Sequence, residues 1–362
     1  EFITFVGGAG VEREVGGAIN AQGQTLLKAV STGMTPTVPG SLNVDPGGGL
    51  DIWVGRIAPD GSSLDFGLFL GGTKTEKTAT LSLYPNGDIS VIGRTWSEEF
   101  PSTQSISAEG QAWPFFVNDV FVCRITPDGT TLAWSLLFGS AEGDFLQLAR
   151  LGPDGSIYLV IQPLVLGGAQ VTDPIYPTLA GLGFDDTFTV GETNLESDDL
   201  IVRIAPDGQS ILNASWFPLH FVRAADFDAD GNFYLGGNSI AGLPTTPGTA
   251  FPDGIGAYVV KFEPDLSDLV WSTYIPSDGA EVRAMTVDSV GAVYVAGRNG
   301  VESGYVHPDA FQTTLQDSNA GYLLKLSPNG SRILWATFLG IWVQDGLGYI
   351  WDVDVDRAGN VV

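Results

Sequence analysis

The chain has 362 residues, and 42 Asp and Glu against 16 Lys and Arg give it a formal charge of −26, although only 16% of its residues are charged. An acidic chain of this kind repels phosphate backbones, which argues against nucleic acid as a partner, and no apolar run reaches the roughly 18 residues of a membrane-spanning helix. The single cysteine, Cys123, rules out an internal disulfide framework; it sits in the alternating stretch "VFVCRI", where a small buried hydrophobe is expected rather than a reactive thiol.

The chain opens in a strand-like stretch, Phe2 to Val6, and closes in another, "GNVV", so it reads as a fragment of a longer chain. Between the two, one unit recurs. The first unit, about 9–72, carries a turn "NAQG" ending at Gly23, a strand "DIWVGRI", a turn "APDG" from Ala58 to Gly61 and a strand "LDFGLFLGG". The second, about 73–140, repeats the order with "YPNG" at Gly87, "DVFVCRI", "TPDG" from Thr126 to Gly129 and "LAWSLLFGS". The third, about 141–218, has "GPDG" at Gly155, an extended loop from about Gln162 to Asp198, "DLIVRI" and "APDG" from Ala205 to Gly208. The fourth, about 219–277, has "DADG" at Gly231, "AYVVKF", a degenerate "EPDL" from Glu263 to Leu266 and "LVWSTYIPS". The fifth, about 278–341, has "DSVG" at Gly291, "GYLLKL", "SPNG" from Ser327 to Gly330 and "ILWATFLGI". A partial unit, 342–362, ends with "DRAG" at Gly359, and residues 1–8 supply a further strand.

Each unit therefore runs strand a, glycine turn, strand b, long Pro/Gly/Thr loop, strand c, PDG turn, strand d. In the PDG turn, Pro presets φ, Asp or Asn tolerates the third place and Gly takes the left-handed fourth, a type I hairpin turn with a glycine bulge. Period-two patterning rich in Val, Ile, Phe, Tyr and Trp predicts antiparallel strands, and no segment sustains a helical period. Four-stranded units cannot bury both faces alone, so they are expected to stack around an axis as one all-β domain, a β-propeller of four-stranded antiparallel blades. Successive a-to-b glycines lie roughly 60 to 76 residues apart, longer than a WD40 or kelch period. Six blades is the economical count, with the N-terminal strand closing the ring, and seven follows if the missing segment is longer.

"VDSVGAVYVAG" (Val287 to Gly297), "HPDAFQTT" (His307 to Thr314), "GYLLKLSPNGS" (Gly321 to Ser331) and "ILWATFLG" (Ile333 to Gly340) follow one another as the four parts of a known repeat. With "LPTTPGTAF" and "LVWSTYI" in the preceding unit, the chain resembles the bacterial and archaeal surface β-propeller repeat family, the SBBP or seven-bladed β-propeller repeat. The resemblance implies secreted or cell-surface proteins, often large and multidomain, with no shared catalytic residues.

Several residues invite a chemical reading. Arg56, Arg124, Arg203, Lys261 and Lys325 share one slot before the PDG turn; a cation repeated in every unit is expected to pair with an acid on a neighbouring strand. Trp134, Trp216, Trp271 and Trp335, with Phe66 in the first unit, share a slot on strand d and are expected to pack between blades. Trp96 and Trp113, which flank the loop "SEEFPSTQSISAEGQA", are the candidates for an exposed aromatic contact. With only His220 and His307 in the chain, no multi-His zinc centre can be assembled, and no nucleophile elbow or phosphate-cradling loop is present. "DFDADGN" spaces Asp226, Asp228 and Asp230 as calcium loops do, but the place of the last ligand is taken by Tyr234 and the twelfth place by Gly237. The same residues fill the a-to-b turn slot of the other units, so a calcium site and a plain turn both stand. Arg150, on strand a of the third unit, is a candidate neutraliser of Asp226 or Asp354.

No catalytic residue and no cofactor are expected, calcium being the one candidate ion. The expected role is a secreted or cell-surface scaffold or binding module, with periplasm as the other compartment. Protein partners or a larger surface assembly would be engaged through the long b-to-c loops, which sit on a rigid frame; a glycan is the other ligand considered. The alternative is a propeller enzyme, a lyase or glycan hydrolase, with His220 and carboxylates at the channel mouth. Asn213 and Asn329 head sequons.

Overall fold

Left-handed glycines punctuate the chain where the turn signatures predict them. The c-to-d turns close with backbone bonds from Gly61, Gly129, Gly208 and Gly330 to the residue three before, each 2.9 Å, at φ of 70, 70, 70 and 65°. The a-to-b turns do the same at Gly23, Gly87, Gly231, Gly291 and Gly359. In this computed structural model the described residues are 6–20, 22–107, 118–139, 143–163, 181–187, 198–239, 242–275, 280–298, 305–314, 321–340, 350–356 and 359–362, and no α-helix occurs among them.

Among the described residues, 21 strands form five sheets. The first holds β1 (Glu12–Ile19), β2 (Thr25–Ser31), β3 (Asp51–Ile57) and β4 (Leu64–Leu70) in chain order. The second holds β5 (Glu76–Leu83), β6 (Ile89–Thr95), β8 (Asp119–Ile125) and β9 (Leu132–Gly139), with β7 (Gln104–Ser107) added parallel to β9 at its edge. The third is β10 (Asp144–Leu151), β11 (Ile157–Pro163), β12 (Asp199–Ile204) and β13 (Ile211–Phe217). The fourth is β14 (Val222–Phe227), β15 (Phe233–Ser239), β16 (Gly256–Phe262) and β17 (Leu269–Tyr274). The fifth is β18 (Glu281–Val287), β19 (Val293–Arg298), β20 (Gly321–Leu326) and β21 (Ile333–Leu339). Residues 350–362 add a short pairing, Val355 with Val361.

The chain divides into two compact units: Glu1–Leu151 with Gly155–Thr178 and Arg203–Ile211, and Gly152–Asp154 with Leu179–Val202 and Leu212–Val362. In the first, a core forms between the first two sheets from Leu26, Val54, Phe66 and Leu68 on one side and Val91, Phe121 and Cys123 on the other. In the second, Tyr234, Val259 and Trp271 of the fourth sheet pack on Val295, Tyr322 and Leu324 of the fifth. Because the inner strands are covered on both faces they read as near-continuous apolar runs. Cys123 lies in such a run, fully buried, with burial pushing its thiol pKa up.

The sheets lock onto one another at the PDG turns. A Cβ on Gly129 would sit 2.4 Å from the Phe66 ring, one on Gly208 2.7 Å from Trp134, and one on Gly330 2.7 Å from Trp271. The aromatic of strand d in one sheet thus lies flat against the turn glycine of the next, as the repeated aromatic slot predicts. The b-to-c loop adds a second clasp: Leu42, Phe184 and Ala250 donate their backbone N–H to the carbonyls of Gly129, Leu266 and Gly330, at 2.8, 3.1 and 2.8 Å. Leu266 replaces the glycine in the degenerate turn, yet it keeps φ at 54° and is fully buried.

The same loops cap the outer strands. Val38 bonds Gly67, Thr103 bonds Ser135, Ala214 bonds Leu182, Thr246 bonds Ser272 and Phe338 bonds Gln312. An edge strand left bare would template aggregation, so covering it is a general need, and β7 is the most regular instance.

Gly129→Ala should cost about 2–4 kcal/mol in urea unfolding, combining left-handed strain of roughly 1 kcal/mol with overpacking of roughly 1–3 kcal/mol. Gly23→Ala, at φ 77° with no heavy atom within 4 Å of its Cβ position, should cost only about 1 kcal/mol. Equal costs would remove the ring contact as an energetic term.

Candidate functional site

The repeated cations are committed to the frame. Arg124 Nε lies 2.7 Å from Asp88, Lys261 Nζ 2.9 Å from Asp228 and Lys325 Nζ 2.9 Å from Asp288, each acid belonging to the a-to-b turn region of the same sheet. Arg203 donates to Ser156 in the equivalent place, and Arg56 pairs with Asp65 on strand d. Arg124 also reaches the next sheet, donating to the carbonyl of Pro206 at 3.0 Å, and Arg56 does so to Pro127. Trp271 Nε1 makes the equivalent bond to Pro328 at 3.1 Å. The proline carbonyl of the PDG turn is thus a third point of the clasp.

The aspartates of "DFDADGN" separate into three tasks. Asp228 Oδ2 accepts from Asn232, from the Tyr234 hydroxyl and from Lys261, while Oδ1 accepts the backbone N–H of Asp230 and Asn232. Burial opposes its ionisation, but hydrogen bonds from Asn232 and Lys261 together outweigh it and hold its pKa below the ordinary carboxylate value. Asp226 turns to the fifth sheet, where Oδ2 accepts from Thr286 Oγ1 at 3.0 Å and from the N–H of Val287 at 2.7 Å. Asp230 is exposed. The calcium expectation therefore meets three carboxylates in three environments, and among the described residues no group of three His, Cys, Asp or Glu side chains has metal-holding geometry. Tyr234, in the place where a last ligand was sought, donates to Asp228 instead. Arg150 donates to the carbonyl of Ala149.

His220 is 2% exposed. Its backbone N–H donates to Asp199 Oδ2 at 2.8 Å and its carbonyl accepts from the Tyr258 hydroxyl at 3.0 Å. His220 and Phe221 hold φ of 52 and 41°, a strained pair of non-glycine residues tied down by those bonds. The group is sealed inside the second unit and offers no imidazole to an external substrate. His307 is exposed, 3.8 Å from Asp309.

Trp96 is half-buried, and Lys77 and Arg94 lie over its ring at 5.9 and 5.5 Å. The face expected to offer an open aromatic contact is thereby shared with two cations. Trp113 lies outside the described residues.

The most exposed aromatic among the described residues is Phe311, at 87%. It holds the loop slot that Leu42, Phe184 and Ala250 hold in earlier sheets, one residue before the residue whose carbonyl caps strand d. Those three clasp the next sheet's turn. Trp335, in the strand d slot, is only partly buried, whereas Phe66, Trp134 and Trp271 are buried; it and Ile350 both pack against a cluster of Ala284, Ala296, Leu323 and Val353. The neighbouring loop contributes Phe251, edge-on to the half-exposed Tyr305 at 4.9 Å. This end of the fifth sheet carries the clasp residues without a turn seated on them among the described residues. The repeat slot was visible in "HPDAFQTT", but exposure depends on whether the next turn is there to cover it.

No protein-family profile matches the chain, and no curated protein matches it. Solved structures do. A point variant of the NanB sialidase from Streptococcus pneumoniae superposes with a TM-score of 0.50 at 10% identity, over 97% of this chain and 64% of that one. The NanB sialidase in complex with 2-[(3-chlorobenzyl)ammonio]ethanesulfonate gives 0.52 at 8% identity, over 99% and 66%. The chain thus spans slightly under two thirds of those structures, and the likeness shows a β-propeller fold.

Lys261→Met should destabilise the protein by about 3 kcal/mol, because it strands the Asp228 carboxylate in a largely buried site. The contribution of Asp228 is fully present above its ordinary pKa and lost as pH falls through the lower folded value, so Asp228→Asn should flatten the stability profile below about pH 4. Millimolar calcium should leave the melting temperature of the wild type unchanged; a rise abolished by Asp230→Asn would restore the metal reading.

Proposed function

We propose that this chain is a surface-exposed or secreted β-propeller scaffold of the SBBP-repeat type, which engages protein partners through its long b-to-c loops. The single observation behind this reading is Phe311, 87% exposed in a slot whose three equivalents are seated on a neighbouring turn. A partner suited to that loop presents a Pro-x-Gly turn whose carbonyl accepts the Phe311 N–H, as those of Gly129 and Gly330 accept from Leu42 and Ala250.

A glycan-processing propeller is the competing reading. It rests on likeness in fold to a sialidase, which assigns no substrate at 8–10% identity, and the burial of His220 speaks against the histidine expected to serve it. Placement outside the cell rests on the repeat resemblance; no helix among the described residues is long and apolar enough to cross a membrane.

A disulfide-closed peptide carrying the sequence of residues 119–138 is the probe for this site. It should bind the wild type, and Phe311→Asp should weaken it at least about tenfold, the loss of one buried aromatic anchor. Absence of binding to the wild type, or binding unaffected by Phe311→Asp, would reject the docking reading; turnover of a sialyl glycoside would favour the enzyme.

A further inference from the structure

Two joints between sheets in the first unit contain facing acids. At the first, Asp51 opens β3 and Glu76 opens β5, and they are 1% and 0% exposed. Asp51 Oδ2 accepts the N–H of Gly47 and Gly48 at 2.9 and 3.2 Å. Glu76 Oε1 accepts the hydroxyls of Thr95 and Ser97 at 2.7 and 2.6 Å. The remaining oxygens, Asp51 Oδ1 and Glu76 Oε2, are buried without a donor. Both lie at the Cβ position of Gly71, 1.8 and 2.7 Å from it, so only glycine fits there. At the second joint, Asp119 opens β8 and Asp144 opens β10. Asp119 Oδ1 is again buried without a donor, and it and Asp144 Oδ2 lie 2.4 and 2.9 Å from the Cβ position of Gly139.

Two acceptor oxygens brought together in a dry interior repel unless something with positive charge lies between them. We propose that the first joint is closed by a proton shared between Asp51 and Glu76, so that the first unit is tightened by acid and loosened above neutral pH. No ion pair reaches Asp51, Glu76 or Asp119 among the described residues. Near the first joint, the Lys74 ammonium turns outward to Glu98, and Glu99 accepts the N–H of Thr73. Near the second, the Arg94 guanidinium lies over the Phe145 ring at 4.2 Å, and Asn118 donates to the carbonyl of Asp144.

Burial and then Asp51 push the Glu76 pKa up to about 7, the hydroxyl bonds opposing them; burial and Asp144 push Asp119 to about 7. Raised carboxyls stabilise the fold fully below their unfolded pKa values, and that contribution is lost as pH rises through about 7. The second unit differs at the equivalent places. Asp199 there accepts the N–H of His220, and Glu281 is paired with Arg283 and Arg298.

The test compares urea unfolding of the wild type with Glu76→Gln at pH 5 and pH 7, a difference that cancels the background of the acidic surface. The folded-to-unfolded ratio of the wild type should fall about 30- to 100-fold more than that of the variant, since one proton is worth at most about tenfold per pH unit. Parallel profiles would overturn the proposal. Should the variant fail to fold, infrared spectra of the wild type decide: a protonated carboxyl band should persist at pH 6 and vanish above pH 8, and its absence at pH 6 would overturn it. Recovery of stability at pH 8 by millimolar calcium would also overturn it, since a cation would then replace the proton.

Discussion

The structure depends on one contact, an aromatic ring on the outer strand of a sheet pressed against a left-handed glycine in the next sheet's turn. Phe66 on Gly129, Trp134 on Gly208 and Trp271 on Gly330 are three copies of it. The contact asks two things of the sequence at once. The turn must take a positive φ, which favours glycine, and the absent Cβ must leave a seat for the ring. A PDG turn meets both requirements, and this explains why the turn and the strand d aromatic recur together.

The other repeated features serve the same joint. The slot cation spans from an acid of its own sheet to the proline carbonyl of the next turn in Arg124, and the b-to-c loop ties its backbone to the carbonyl of the turn's fourth residue while covering the edge of strand d. The long loops are therefore partly structural. Phe311, in the loop of the fifth sheet, is the most exposed aromatic among the described residues.

Strands, turns and the pairing of slot cations were legible because each depends on local pattern: period two, Pro-Asp-Gly, and a cation at a fixed distance from the turn. The roles of single residues were less legible because they depend on neighbours from other units. Asp228 looks like a calcium ligand beside Asp226 and Asp230, yet Lys261, distant in sequence, claims it. Trp96 looks available beside a polar loop, but Lys77 and Arg94 share its ring. The facing acids recur at one spacing in the first two joints, but nothing in either strand alone reveals that stacking will bring them together. β7 likewise owes its existence to the open edge of β9 rather than to a strong strand signal in "QSIS".

A double-mutant cycle between Trp134 and Gly208 tests the central contact most directly. Gly208→Ala in the wild type must displace the Trp134 ring, whereas in a Trp134→Leu background the added methyl meets open space and only the left-handed backbone penalty remains. The account predicts a coupling of about 1–2 kcal/mol between the two positions, within the range for residues in contact. Additive effects, with Gly208→Ala costing the same in both backgrounds, would contradict it.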